Sequence, residues 1–346
     1  MQIKNLFDYA PKELSQDAFI MWVLDNYDCE ELKDVAYDFI CFLTKGEDGK
    51  PIVDIRSDGF KKLKVWSQVS HMDVGCDFYF GNEEDYATKY LVIEDKVGSS
   101  VHDNQLTKYS ATIEKWDVKA RKEDRAIKVY YKTLPLSEWE KKSVEEAGWK
   151  VKPFDEIIDF WKKYQNHPNQ IISFYARYVS GIGESARTTS KPSTNDLVAW
   201  KSFFDKTVIP TLKERGLDVD FVCDQTRYGY VYLNIYPKGS NHDDTPYLEI
   251  RSRDNLEREY LARVLKYGKN IDSDSFDLLR QAIADNQSKV FKANWGKKRV
   301  QQAGRTNSDK RLSCENEDAL VESILLSSKE YLQIISDWKS RIDNRK

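Results

Sequence analysis

Glycine and proline are scarce in this chain, 15 and 9 of 346 residues. That excludes a collagen-like or low-complexity assembly and points to an ordered globular protein. The five cysteines, Cys29, Cys41, Cys76, Cys223 and Cys314, form no C-x-x-C pair, so neither a disulfide framework nor structural zinc is expected. No apolar run approaches the roughly 18 residues that cross a bilayer. The opening MQIKNLFDYAPKEL has the character of neither a signal nor a transit sequence. Together these two absences predict a soluble cytoplasmic protein with no membrane partner. Internal repeats are missing, as is a P-loop, so nucleotide-driven translocation would need a separate subunit. An excess of one charge is lacking as well. Lys plus Arg number 54 against 57 Asp plus Glu, a net charge of −3, which excludes a uniformly basic coat for nucleic acid but leaves local patches open.

Aromatic residues are abundant, with 20 Tyr, 15 Phe and 9 Trp. A chain of this length suits two domains. The stretch SGIGESARTTSKPSTN, residues 180–195, has no apolar period and collects Gly, Ser, Thr and Pro, so the boundary is placed there: one domain over 1–180, a second over 195–346. In the first, ELSQDAFIMWVLDNYD and EELKDVAYDFICFLT read as helices, and KLKVWSQVS alternates as a strand. VGCDFYF and KYLVIEDKV read as a hairpin across a polar turn. A helix follows with Leu106, Tyr109, Ile113 and Trp116 on one stripe, then a strand AIKVYYKT, a helix ending at Gly148, and a short strand WKVKPF. This order predicts an α/β sandwich with a mixed central sheet. The second domain opens on a helix near LVAWKSFFDKTVIPTLKERG, continues with strands DVDFVCDQ, YGYVYLNIY and YLEIRSR, and closes on helices, an α+β pattern.

The hairpin carries a contradiction. A strand apolar enough to be buried places Glu94, Asp95 and Lys96 in succession. Alternation puts Val92, Glu94 and Lys96 on one face and Ile93, Asp95 and Val97 on the other. On the partner strand Asp77 breaks an apolar run in the same way, and pairing is expected to bring it opposite Glu94; Asp73, four residues upstream, is its competitor. Two carboxylates at one point repel unless a cation lies between them, and an all-oxygen site suits Mg2+ or Mn2+. A lysine beside such a site stabilises charge on a phosphate under attack.

Asp77, sixteen intervening residues and Glu94-Asp95-Lys96 together resemble the PD-(D/E)XK nuclease superfamily. The resemblance spans roughly residues 8–165. It implies a restriction-endonuclease-like fold, a mixed sheet flanked by helices, joined here to the C-terminal α+β domain. It also implies metal ligation by Asp77 and Glu94, with Asp95 contributing its main-chain carbonyl, and a catalytic role for Lys96. NQLTKY contains Gln105 and Tyr109 as Q-x-x-x-Y, a motif of the RecB-like branch, and their i, i+4 spacing puts both on one helix face. Tyr109 also shares the apolar stripe, so it reads equally as a core residue. An early helical acid often completes such sites, and Glu13 is the candidate. Cys76 stands where the family has proline. His71 and His102 lie nearby in sequence and read as loop residues.

In the second domain Tyr230, Tyr232, Asn234 and Tyr236 alternate with apolar residues, as do Tyr247, Glu249, Arg251 and Arg253. Tyr230, Tyr232, Arg251 and Arg253 are therefore candidate substrate-binding residues on a sheet face, where bases stack on aromatics and Arg neutralises phosphate. Packing beneath helices is the competing reading. WGKKRVQQAGR adds Lys297, Lys298, Arg299 and Arg305, a solvated run or a backbone contact. The expected protein is a metal-dependent nuclease acting on nucleic acid, DNA before RNA, with a restriction-like defence role by analogy and room for a protein partner or a homodimer. The rival is a binding or regulatory module that keeps the fold without cleaving, marked by tight Mn2+ binding and no nicking.

Overall fold

The computed structural model of the protein describes residues 7, 13–81, 89–97, 104–120, 126–136, 138–192, 196–225, 231–252, 260–265, 273–286, 290–294, 302–306 and 316–344. The chain divides into two compact units, Met1–Glu184 and Ser185–Lys346. Among the described residues no helix is long and apolar enough to cross a membrane.

The first unit runs α1 (Glu13–Asp25), α2 (Lys33–Leu43), β1 (Phe60–Val69), β2 (Met72–Phe80), β3 (Lys89–Lys96), α3 (Gln105–Ala120), β4 (Ala126–Lys132), α4 (Glu138–Glu146), β5 (Lys150–Lys152), α5 (Phe154–Lys162) and α6 (Gln170–Ala186). Its five strands lie in the order β1-β2-β3-β4-β5. The β1–β2 and β2–β3 pairs are antiparallel, and β3–β4 and β4–β5 are parallel. The mixed sheet expected from the sequence is therefore present, and β3 is its central strand. Central position explains why the run Tyr90–Lys96 is buried throughout, charged residues included.

Parallel pairing of β3 with β4 needs a crossover, and α3 supplies it. Its buried stripe Leu106, Tyr109 and Ile113 packs on Val92 and Tyr130 at one face of the sheet. At the other face Phe19, Phe39, Trp161 and Tyr175 form an aromatic core, with Phe19 and Tyr175 stacked at 3.7 Å and Trp161 edge-on to Tyr175 at 4.9 Å. Two helix ends are set locally. Gly148 takes φ +74° after α4, letting Trp149 N–H reach back to the Val144 carbonyl at 3.1 Å. Thr44 closes α2 through its hydroxyl, which donates to the Ile40 carbonyl at 2.8 Å.

The second unit contains α7 (Leu197–Phe203), a π-helical turn (Phe204–Val208), α8 (Ile209–Glu214), β6 (Val219–Gln225), β7 (Val231–Pro237), β8 (Tyr247–Ser252), β9 (Tyr260–Leu265), α9 (Ser273–Asp285), β10 (Phe291–Ala293), β11 (Gln302–Thr306) and α10 (Glu317–Asp343). Its six strands order as β10-β11-β9-β8-β7-β6. The single helix expected from Leu197 onward is widened at Phe204–Val208, just before Pro210, which has no N–H to give the preceding turn. Val231, Leu233, Ile235, Leu248 and Ile250 turn one sheet face to a core shared with Phe276, Leu279, Ile324 and Ile335 of α9 and α10.

Candidate active site

Register decides which acid meets Glu94. β2 pairs with β3 through Val74↔Ile93, Gly75↔Val92, Cys76↔Leu91 and Asp77↔Tyr90. One further step along the same register sets Asp73 across from Glu94. Asp77 is thus not opposite Glu94, contrary to the pairing expected from the sequence. It lies four residues along the same face, a displacement of about 13 Å at the rise of an extended strand, and its carboxylate accepts from Trp66 Nε1 at 2.9 Å. Burial pushes the Asp77 carboxyl up, while the Trp66 hydrogen bond and Lys64 oppose the shift.

Around Glu94 the side chains converge. Lys96 Nζ lies 2.6 Å from Glu94 Oε1, 3.0 Å from the Asp95 carbonyl oxygen and 3.6 Å from Asp73 Oδ2. Asp73 Oδ2 also accepts from the Asp95 main-chain N–H at 3.1 Å. From α3, Gln105 Nε2 donates to Glu94 Oε1 and to the Tyr109 hydroxyl, each at 2.8 Å, and Tyr109 donates onward to the His71 carbonyl at 2.7 Å. Helical i, i+4 spacing makes this relay possible. It ends on a two-residue turn, Ser70–His71, with φ +53° and +69°, the type I′ geometry that suits a tight hairpin. Tyr109 is accordingly a core residue whose hydroxyl also joins the hydrogen bonds that run from Glu94 through Gln105. The His71 imidazole has no part in the relay, and His102 lies outside the described residues.

Glu94 is fully buried, and burial is the main reason its carboxyl is pushed up to about 7; Lys96 pulls it down and Asp73 pushes it up. Among the described residues no N–H or O–H donor reaches Glu94 Oε2. A buried carboxylate oxygen left without a donor, facing a second acid, is the environment a hard cation relieves. Among the described residues no group of three or more His, Cys, Asp or Glu side chains is arranged to hold a metal. Asp73, Glu94 and the Asp95 carbonyl still fit Mg2+, which keeps several waters and is often held by one or two carboxylates plus substrate phosphate.

The Asp95 side chain points through the opposite face of the sheet, as alternation requires. There Gln16 Nε2 donates to Asp95 Oδ1, and Gln16 Oε1 accepts from Tyr175 at 3.0 Å. Burial, followed by the nearby Asp17, holds the Asp95 carboxyl well above its usual range. Only its main-chain groups belong to the Glu94 side. Glu13 opens α1, and its side chain lies outside the described residues.

A second buried ion pair escaped the sequence reading. Lys132 stands beside Lys96 in the parallel β3–β4 register, and its Nζ bonds both oxygens of Glu140, at 2.8 and 2.7 Å. Tyr130, beside Glu94, donates to Glu140 Oε1 at 2.7 Å. Lysine ending the apolar strand AIKVYYKT was the one available signal. Removing one member of such a pair leaves the other charged and unsolvated. Glu140→Ala is expected to destabilise the first unit by about 3–5 kcal/mol in urea unfolding of the full chain, with Lys132→Met in the same chain restoring most of the loss. An unchanged midpoint in the single variant would mean that Lys132 reaches water.

In the second unit Tyr232 pairs with Arg251 and Asn234 with Glu249 on one sheet face. Arg251 Nε is 3.5 Å from Glu249 Oε1, so its charge is partly answered within the unit. Tyr230, Arg253 and the run Lys297–Arg299 lie outside the described residues, as does the Arg305 side chain.

No curated protein and no solved structure matches the chain. The family model described as the PD-(D/E)XK nuclease superfamily matches residues 4–180. That interval holds the whole Asp73, Glu94, Lys96, Gln105 and Tyr109 constellation, and the chain belongs to the PD-(D/E)XK nuclease superfamily.

Proposed function

We propose that the first unit hydrolyses phosphodiester bonds with Mg2+ or Mn2+ held by Asp73, Glu94 and the Asp95 carbonyl. The observation that carries this reading is the meeting of Asp73 with the buried Glu94 and Lys96, Glu94 Oε2 having no donor among the described residues. When bound, the cation would polarise the phosphate and lower the pKa of a coordinated water. The chain's own groups do the rest. Lys96 presents a compact ammonium to the charge that builds on the phosphoryl oxygens as water adds to phosphorus and the P–O ester bond breaks. Gln105 fixes Glu94 through the amide that Tyr109 orients, so the carboxylate needs little reorganisation.

DNA is the favoured substrate through the restriction-endonuclease-like resemblance, and a role in bacterial defence follows by the same analogy. The second unit would supply recognition, a protein partner surface or the contact between two copies, with Tyr232 and Arg251 as its substrate-binding candidates. The test is incubation with plasmid, linear duplex, single-stranded DNA and RNA in Mg2+ and in Mn2+. Tight Mn2+ binding with every substrate left intact would sink the catalytic reading in favour of a silent binding module.

The pH dependence has a definite sign. A cation must displace the Glu94 proton, so Mn2+ affinity is expected to rise as pH increases through about 7 and to level off above it. In the metal-free protein the raised pKa of Glu94 contributes stability that is fully present below the ordinary value of 4.5 and is lost as pH rises through about 7. Calorimetric titrations at pH 6 and 8 with equal affinity would remove Glu94 from the ligand set.

A further inference from the structure

β1 carries a strip of side chains on the same sheet face as Asp73. In the β1–β2 register Trp66 stands against Gly75, Lys64 against Asp77 and Lys62 against Tyr79. The indole lies flat across the strand beside the acids: a Cβ at Gly75 would fall 2.0, 2.2 and 2.3 Å from three carbons of the ring. Its Nε1 is tied to Asp77 at 2.9 Å, and the ring is partly exposed. Beyond it Lys64 and Lys62 are exposed, with Lys62 Nζ 4.9 Å from the centre of the Tyr79 ring. Lysines on an edge strand have a bland explanation, since they discourage pairing with another sheet. That accounts for Lys62 and Lys64. It does not account for Trp66, which packs in part against the apolar cluster around Met72 and Val92 yet keeps its ring partly exposed, seated on glycine and fixed by a carboxylate hydrogen bond at the border of the Asp73, Glu94 and Lys96 centre.

We propose that Trp66, Lys64 and Lys62 form the track along which a single-stranded segment of the nucleic-acid substrate reaches that centre, a base stacking on Trp66 and successive phosphates lying at Lys64 and Lys62. Alternate residues of a strand are about 7 Å apart, close to the step between phosphates of an extended single strand. The strip is basic and aromatic, the combination that holds single strands without reading sequence. Asp77, four residues along the same face from Asp73, then serves to orient Trp66. The proposal rests on the nuclease reading.

Binding of a fluorescent 20-nucleotide DNA single strand, and of the same sequence as a duplex, is measured by anisotropy in EDTA, so that no cleavage or metal contributes. Trp66→Ala is expected to weaken single-strand binding by about 5- to 150-fold, and Trp66→Phe to recover most of it. Lys62→Gln with Lys64→Gln is expected to reduce the slope of log affinity against log salt by about 1.4, that is 0.7 for each phosphate no longer neutralised. The exposed lysines leave folding aside, and thermal melts check the Trp66 variants. Parental affinity in folded Trp66→Ala, or a parental salt slope in the lysine double variant, overturns the track. If that protein also cleaves DNA in Mn2+ as the parent does, the nuclease reading survives and the track alone fails. Parental protein that neither binds nor cleaves overturns both, and a preference for duplex overturns the single-strand assignment.

Discussion

Lys96→Ala is expected to cleave the best substrate on the order of 100-fold or more slowly than the parent while keeping its fold. Lys96 is 2.6 Å from Glu94 and 3.6 Å from Asp73, so in the resting protein its single ammonium faces both acids. Its charge also lowers the Glu94 pKa, and the alanine variant is therefore expected to bind Mn2+ less well at pH 7. Raising the pH to 8.5 should restore metal binding without restoring cleavage, which separates the chemical step from metal capture. Lys96→Arg should fail as well, because a planar guanidinium neither fits the compact ammonium's place nor gives up a proton. Parental cleavage by Lys96→Ala at pH 8.5 would reduce the Glu94–Lys96 pair to a structural ion pair.

Asp73→Ala is expected to lose both Mn2+ binding and cleavage, whereas Asp77→Asn keeps parental Mn2+ affinity. Asp73 stands across from Glu94 in the register and within ion-pair distance of Lys96, while Asp77 is bonded to Trp66. Loss of Asp73 also removes a charge that raises the Glu94 pKa. The metal-free Asp73→Ala protein should then be no less stable than the parent, as expected when two facing carboxylates are reduced to one. Calorimetry decides the matter: an Asp77→Asn protein that no longer binds Mn2+, beside an Asp73→Ala protein that does, would reverse the two assignments and break the link between register and ligation.

What could be read from the sequence was local. Glu94 and Lys96 share a strand face because side chains alternate, and Gln105 and Tyr109 share a helix face because four residues make about one turn. Both pairs meet in the structure as these periods require. A buried strand that tolerates a glutamate and a lysine was visible as a break in an apolar run. The aromatic helices α5 and α6 have no counterpart in that reading, although Asn169, whose Oδ1 accepts from the Ile171 and Ile172 N–H groups, marks the start of α6; their packing partners come from α1 and α2, far away in sequence.

The sequence by itself determined the family, the mixed sheet, and that Glu94 shares a strand face with Lys96 and Gln105 a helix face with Tyr109. Which of Asp73 and Asp77 lies across from Glu94 was decided by the tertiary structure. The two are four residues apart, an even number, so alternation puts both on the Glu94 face and carries no information to separate them. Only the β2–β3 register does, and register is a property of two strands and the chain between them. Lys132 with Glu140, Gln16 with Asp95 and Trp66 over Gly75 were likewise decided in three dimensions. Each joins residues from different elements, which no local period of a strand or helix brings together.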